Sequence, residues 1–176
     1  MGVLTVVRAS DRRLTQRMAA WRSPVVRRVL SVAEACAEGT KLWCSAAVVM
    51  AATGGRRGRR AAGAGVAAMG LAQLVGNGVG KRLADRPRPP KEWIPHDRVE
   101  DRPASPSFPS GHTAAATAFC CAVLPAWPTA GLLCAVPAAL VAVERVHSGA
   151  HYPSDVAGGA VVGLAGAWLV RHAVRG

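Results

Sequence analysis

The fold class this sequence predicts is all-α: an integral membrane bundle of about five transmembrane helices, with an N-terminal helix lying at the interface. Three observations predict it. Hydrophobic residues make up 51% of the 176-residue chain, yet aromatic residues reach only 5%. The apolar content is therefore Ala, Val, Leu and Gly, and small residues of this kind let membrane helices pack closely. The apolar residues also gather in runs of about 20, the length that crosses a hydrocarbon core of ~30 Å. Arg, Gly and Pro punctuate the runs. The length suits one domain.

The formal net charge is +12, nearly all of it from arginine. Such a charge suits nucleic acid, an anionic membrane surface or a phosphorylated substrate. The apolar runs exclude nucleic acid, because a soluble nucleic-acid module has no use for them. Cys36, Cys44, Cys120, Cys121 and Cys134 all fall in apolar stretches, with no C-x-x-C and no Cys/His metal spacing. They read as free, buried packing residues. No metal or other cofactor is expected.

Residues 8–28 carry seven arginines around Leu14, Met18 and Trp21, which share one helical face at i, i+4, i+7. Segment 1–28 reads as a basic interfacial helix with its arginines towards lipid headgroups; a solvated basic tail is the alternative. Residues 29–176 then form the membrane-integral domain. A first span runs from about Val29 to Thr53 and contains Glu34, Glu38 and Lys41, again at i, i+4, i+7. These form an inward polar stripe with a Glu38–Lys41 pair, or else the membrane begins nearer Lys41.

The stretch G-G-R-R-G-R-R at 54–60 is a charged loop between spans. Residues 61–80 form a second span, with Gly76 and Gly80 at G-x-x-x-G spacing and Gln73 and Asn77 as polar neighbours for other helices. Residues 81–109, dense in proline and charge, form a long loop of the kind kept for function. Spans follow at about 112–126, 129–147 and 154–173. The first of these is short for the hydrocarbon core. Gly159 and Gly163 give the last one a close-packing face.

Three loop–helix junctions carry the polar chemistry: Lys81 to Pro89, P-S-G-H at 109–112, and Arg145 followed by His151 and Asp155. If successive helices alternate direction, all three emerge on one membrane face. A phosphate ester needs its oxygens neutralised, a nucleophile in line and a proton for the leaving oxygen. Lys81, Arg88 and Arg145 supply positive charge, the arginines through forked hydrogen bonds. Ser110 reads as an N-cap that frees the Gly111 and His112 amides for an anion, and Gly111 admits the phosphate close to the backbone. His151 serves as nucleophile, with Asp155 fixing its tautomer and stabilising the imidazolium. His112 serves as general acid and later as the base that activates water. His96, His147, Trp93 and Tyr152 are rim residues, and His172 is an interfacial cation.

These three segments resemble the K-x6-R-P, P-S-G-H and S-R-x5-H-x3-D motifs of the type 2 phosphatidic acid phosphatase (PAP2) superfamily. The resemblance spans about residues 29–173. It implies a helical membrane fold and metal-independent hydrolysis of a lipid phosphate monoester or pyrophosphate, with the roles above carried by Lys81, Arg88, Ser110, Gly111, His112, Arg145, His151 and Asp155. One position departs. Glu144 stands where the family usually has serine, and a carboxylate there repels a phosphate unless Arg145 or Lys81 pairs with it.

The expected partners are a lipid phosphate and the bilayer, without nucleic acid. Candidate substrates are phosphatidate, phosphatidylglycerol phosphate, a polyprenyl pyrophosphate, or a polyprenyl-phosphoryl sugar phosphate such as decaprenylphosphoryl-5-phosphoribose. A vanadium haloperoxidase-like enzyme and a non-catalytic lipid-binding membrane protein are the rival readings. Five spans put roughly fifteen basic residues on the side of the junctions and six on the other. The excess of positive charge places the active site on the cytoplasmic face of the plasma membrane.

Overall fold

The computed structural model describes residues 2–95, 102 and 104–173; for Val79, Lys81 and Leu83 it describes only the backbone. All regular structure among them is helical. The helices are α1 (Val3–Ala19), α2 (Pro24–Ala37), α3 (Lys41–Thr53), α4 (Gly55–Gln73), the short α5 (Lys81–Ala84), α6 (Gly111–Val123), α7 (Pro128–His147) and α8 (Pro153–Ala173). A π-helical stretch, Leu74–Gly80, joins α4 to α5.

Helix α6 is the centre of the bundle. It packs against α4, α7 and α8, and its alanines face both a Trp43–Phe119 cluster and an alanine seam with α4 and α8. The seam needs glycine. A Cβ on Gly159 would lie 2.4 Å from the Ser110 carbonyl oxygen, and one on Gly163 would lie 2.6 Å from that of Ala114. The expected close-packing face of α8 is therefore the α6–α8 contact, and it brings the start of α8 beside the start of α6.

Several expected elements differ. The span from Val29 to Thr53 is two helices, because Gly39 (φ 57°) and Thr40 (φ 63°) adopt left-handed conformations between α2 and α3. Gly39 reaches that region without steric penalty. The basic stretch 54–60 is not a loop. Only Gly54 separates α3 from α4, and the four arginines lie in the first turns of α4. Gly76 and Gly80 sit in the π-helical stretch, where a Cβ on Gly80 would lie 2.8 Å from Pro109. That pair faces the 104–110 segment rather than another helix.

The face that α1 turns to the bundle is not its apolar one. Leu14 and Trp21 are exposed, while Asp11, Thr15 and Ala19 form the buried stripe. Glu38 and Lys41 pair at 3.9 Å on the surface, whereas Glu34 turns inward to Arg145. The cysteines are free, but Cys36 and Cys44 are exposed rather than buried.

Among the described residues two helices are long and apolar enough to cross a membrane, α7 and α8, with mean hydropathies of 1.6 and 1.3. Helices α3 and α6 have 13 residues each, about 20 Å of rise. Outward-facing side chains of α3, α7 and α8, among them Val48, Leu133, Val136, Leu164 and Trp168, are largely exposed.

Candidate active site

The loop between α7 and α8 is closed by its own backbone, with the His151 amide donating to the Arg145 carbonyl at 2.9 Å. Gly149 takes a left-handed conformation at the turn (φ 68°). This puts His151, which is 4% exposed, against the segment that precedes α6. Its Nδ1 lies 2.6 Å from the Ser107 carbonyl oxygen. A carbonyl only accepts, so Nδ1 carries the proton and Nε2 keeps its lone pair. A guanidinium nitrogen of Arg88 stands 3.4 Å from Nε2. Burial holds this imidazole below its ordinary pKa, the charges of Arg88 and Arg145 act the same way, and Asp155 opposes them.

The carboxylate of Asp155 is fully buried but is not the group that sets the tautomer. It stands 3.8 Å from Nδ1, too far for a hydrogen bond. Its oxygens accept instead from the Tyr152 amide at 2.8 Å and from Arg86 at 2.6 Å. The hydrogen-bond partner of Nδ1 is thus the Ser107 carbonyl, with the Asp155 carboxylate behind it at 3.8 Å.

Arg88 is fixed by its own donors, to the Ser105 carbonyl at 3.0 Å and the Ala150 carbonyl at 2.5 Å. Arg102 staples the same wall by donating to Pro89 and Gly149 carbonyls, both at 2.7 Å. Beside it, a cavity of ≈ 330 Å³ is bounded by Arg86, Arg88 and Ser105. Arg145 is buried and bound to two carboxylates. It donates to Glu144 Oε2 through Nε at 2.5 Å and contacts both Glu34 and Glu144 through Nη2. The Glu144 carboxylate is thus paired by the arginine next to it.

Ser110 caps α6, its Oγ accepting from the Thr113 hydroxyl at 3.0 Å and, at 3.5 Å, from the Thr113 amide. The Ser110 amide donates to the Asp155 carbonyl at 3.0 Å. Gly111 is tight for a protein reason: a Cβ there would meet Asn77 Oδ1 at 3.0 Å and Gln73 Oε1 at 3.4 Å. These two amide side chains are bonded to each other at 2.8 Å. His112 follows two residues after Ser110, whose amide bonds the Asp155 carbonyl, and lines a cavity of ≈ 190 Å³ with Gly39, Thr40, Trp43 and Gln73. Residue 81 begins α5, but the Lys81 side chain lies outside the described residues, as does His96.

The structure therefore brings Arg88, Ser110, Arg145, His151 and Asp155 to one end of the bundle, from three separated stretches of sequence. A family model, described as PAP2 superfamily, matches residues 61–176. The chain belongs to the PAP2 superfamily. Two crystal structures share this PAP2 fold. One is the first transmembrane PAP2 type phosphatidylglycerolphosphate phosphatase from Bacillus subtilis, with a TM-score of 0.76, 22% identity, and coverage of 97% of this chain and 87% of that one. The other is Aquifex aeolicus LpxE, with a TM-score of 0.71, 21% identity, and coverage of 91% and 93%. No curated protein matches the sequence.

Other residues at this PAP2 site escaped the sequence reading. Arg86 bridges Asp155 and Asp11, donates to Ser154 Oγ at 2.7 Å, and lies over the Tyr152 ring at 4.1 Å. Asp11, from α1, accepts from the Ser154 amide at 3.0 Å and its hydroxyl at 2.6 Å. Each left a faint signal: R-P occurs twice in R-P-R-P, and Asp11 is the one acid among the arginines of 8–28. His147 is buried rather than on a rim, 3.4 Å from the Trp21 carbonyl. Trp93 and Tyr152 meet edge to face at 6.5 Å.

Proposed function

We propose that the protein is a membrane-integral lipid phosphatase that hydrolyses a phosphate monoester or pyrophosphate through a phosphohistidine on His151. The observation that carries this reading is the tautomer of His151. Nδ1 is committed to the Ser107 carbonyl, so Nε2 holds a free electron pair facing Arg88. Nε2 attacks phosphorus, the bond to the leaving oxygen breaks, and His112 donates the proton that oxygen needs. His112 then takes a proton from water, which attacks the phosphohistidine and releases inorganic phosphate, returning Nε2 to its starting state. Arg88, Arg145 and Lys81 balance the charge on the phosphoryl oxygens. The Ser110 cap and the amides at the start of α6 give further donors. The chemistry runs without a metal.

Embedding in a membrane is supported by α7 and α8, whose apolar windows are only 28% buried in the bundle. The core helix of a soluble protein is mostly buried, whereas a lipid-facing helix is not. In this reading α1 and residues 1–28 lie at the interface, five passes cross the bilayer, and the positive-charge excess sets the active site on the cytoplasmic side. The two structural relatives favour a lipid phosphate as substrate.

The test is phosphate release in detergent with EDTA present, wild type against His151→Ala, over phosphatidate, phosphatidylglycerol phosphate, a polyprenyl pyrophosphate and a polyprenyl-phosphoryl pentose phosphate. Release that survives EDTA and disappears in the variant is expected. Equal release by both proteins would sink the nucleophile assignment.

A further inference from the structure

The charge of this chain is unevenly placed. No Asp or Glu occurs between Glu38 and Asp85, between Asp101 and Glu144, or after Asp155. The end of the bundle away from His151 is built from those acid-free stretches, and it carries Arg56, Arg57, Arg59, Arg60 and Arg171. Arg57 is committed, donating to the Ala126 carbonyl at 2.8 Å and lying over Trp127 at 5.6 Å. Arg59, Arg60 and Arg171 stand instead around a groove of ≈ 580 Å³ between α4, α6 and α8. Its floor is small and apolar, with Ala64, Ala122 and Ala167 among the lining residues. Among the described residues no carboxylate reaches these three arginines.

We propose that this groove is a binding site for an anionic phospholipid, separate from the catalytic centre and in the opposite leaflet. The proposal rests on the membrane reading above. A phosphodiester headgroup supplies the negative charge that the three guanidiniums lack. An acyl chain covers the alanine floor, which water would otherwise wet. A zwitterionic headgroup brings its own cation and satisfies the arginines less well. From Asp155 to Arg171, α8 rises about 24 Å, so a lipid here does not touch the reacting phosphate.

The test is native mass spectrometry of the full chain, titrated with phosphatidylglycerol or with phosphatidylcholine of the same acyl chains. The wild type is compared with Arg59→Gln/Arg60→Gln/Arg171→Gln. The wild type is expected to bind phosphatidylglycerol on the order of a hundredfold more tightly than phosphatidylcholine, and the triple variant to lose that preference, since each basic residue near anionic lipid is worth roughly fivefold. Phosphate release by the variant is expected to match the wild type.

Equal binding of the two lipids, or an unchanged preference in the variant, overturns the proposal. So does displacement of the lipid by micromolar inorganic phosphate, which would make this a free-anion site. Cross-linking that seats a second copy of the chain in the groove overturns it too. Partition of wild type into the aqueous phase without detergent instead defeats the membrane reading itself, so the two failures are distinguishable.

Discussion

Asp11 in the first helix and Arg86 before α6 form a 2.7 Å ion pair whose carboxylate is 4% exposed, and Arg86 passes the contact on to Asp155 at 2.6 Å. The N-terminal helix is thereby wired into the loop that holds His151. Asp11→Asn keeps the shape but removes the charge that Arg86 and the Ser154 donors share. It is expected to lower kcat about tenfold with KM little changed, and to reduce stability by about 1–3 kcal/mol. Steady-state kinetics and thermal unfolding in detergent check this. Asp11→Glu recovering most of kcat would mark the role as positional.

The depressed His151 pKa gives two signed expectations. The acid limb of kcat/KM lies below the ordinary histidine value of 6.5, because the nucleophile must be neutral. Removing a neighbouring cation by Arg88→Gln moves that limb upward, since the Arg88 charge is one of the causes of the depression. Folding stability follows the same sign. The unfolded chain binds the proton first, so the contribution of His151 is fully present above about pH 6.5 and is lost as pH falls towards the folded pKa. A pH–rate profile of both proteins, with unfolding followed over the same range, reads all three.

Arg145 meets two carboxylates before any phosphate arrives. Glu144→Gln removes one competitor and leaves Glu34 as partner. Competitive inhibition by vanadate is expected to strengthen by about three- to tenfold, roughly 1 kcal/mol. A weakened inhibition constant would show that Glu144 orients Arg145 rather than competing for it.

The α6–α8 seam sets the distance between the Ser110 cap and Asp155. Gly163→Leu pushes a side chain into the Ala114 carbonyl and is expected to destabilise the fold by about 1–3 kcal/mol or more. Gly70→Leu, where a Cβ meets nothing within 4 Å, is the matched control and should leave the melting temperature nearly unchanged.

Much of this architecture was legible because its signals are local. Proline and charge density marked the segment that carries Arg88, the S-G-H start of α6 announced a cap, and paired glycines in α8 announced a close contact. The misplaced elements depend on tertiary choices. Gly39 and Thr40 break a continuous apolar pattern that contains no proline. The arginines at 56–60 look like a loop until their helix is seen to begin at Gly55. On α1, periodicity marked the apolar face of Leu14, Met18 and Trp21 but gave no sign of the buried stripe around Asp11, whose partner lies 143 residues away. The Ser107 carbonyl that orients His151 is a main-chain atom, and no side-chain pattern announces it.

That long separation has a consequence for how the protein is made. The Asp11–Ser154 bonds close only after α8 has begun to form, and contacts between residues this far apart in sequence are slow to establish. A nascent chain with α1 to α7 already synthesised still lacks Asp155 and the far side of its histidine loop. In the proposed reading, hydrolytic competence therefore waits for α8, and a chain that has not yet made it is inert.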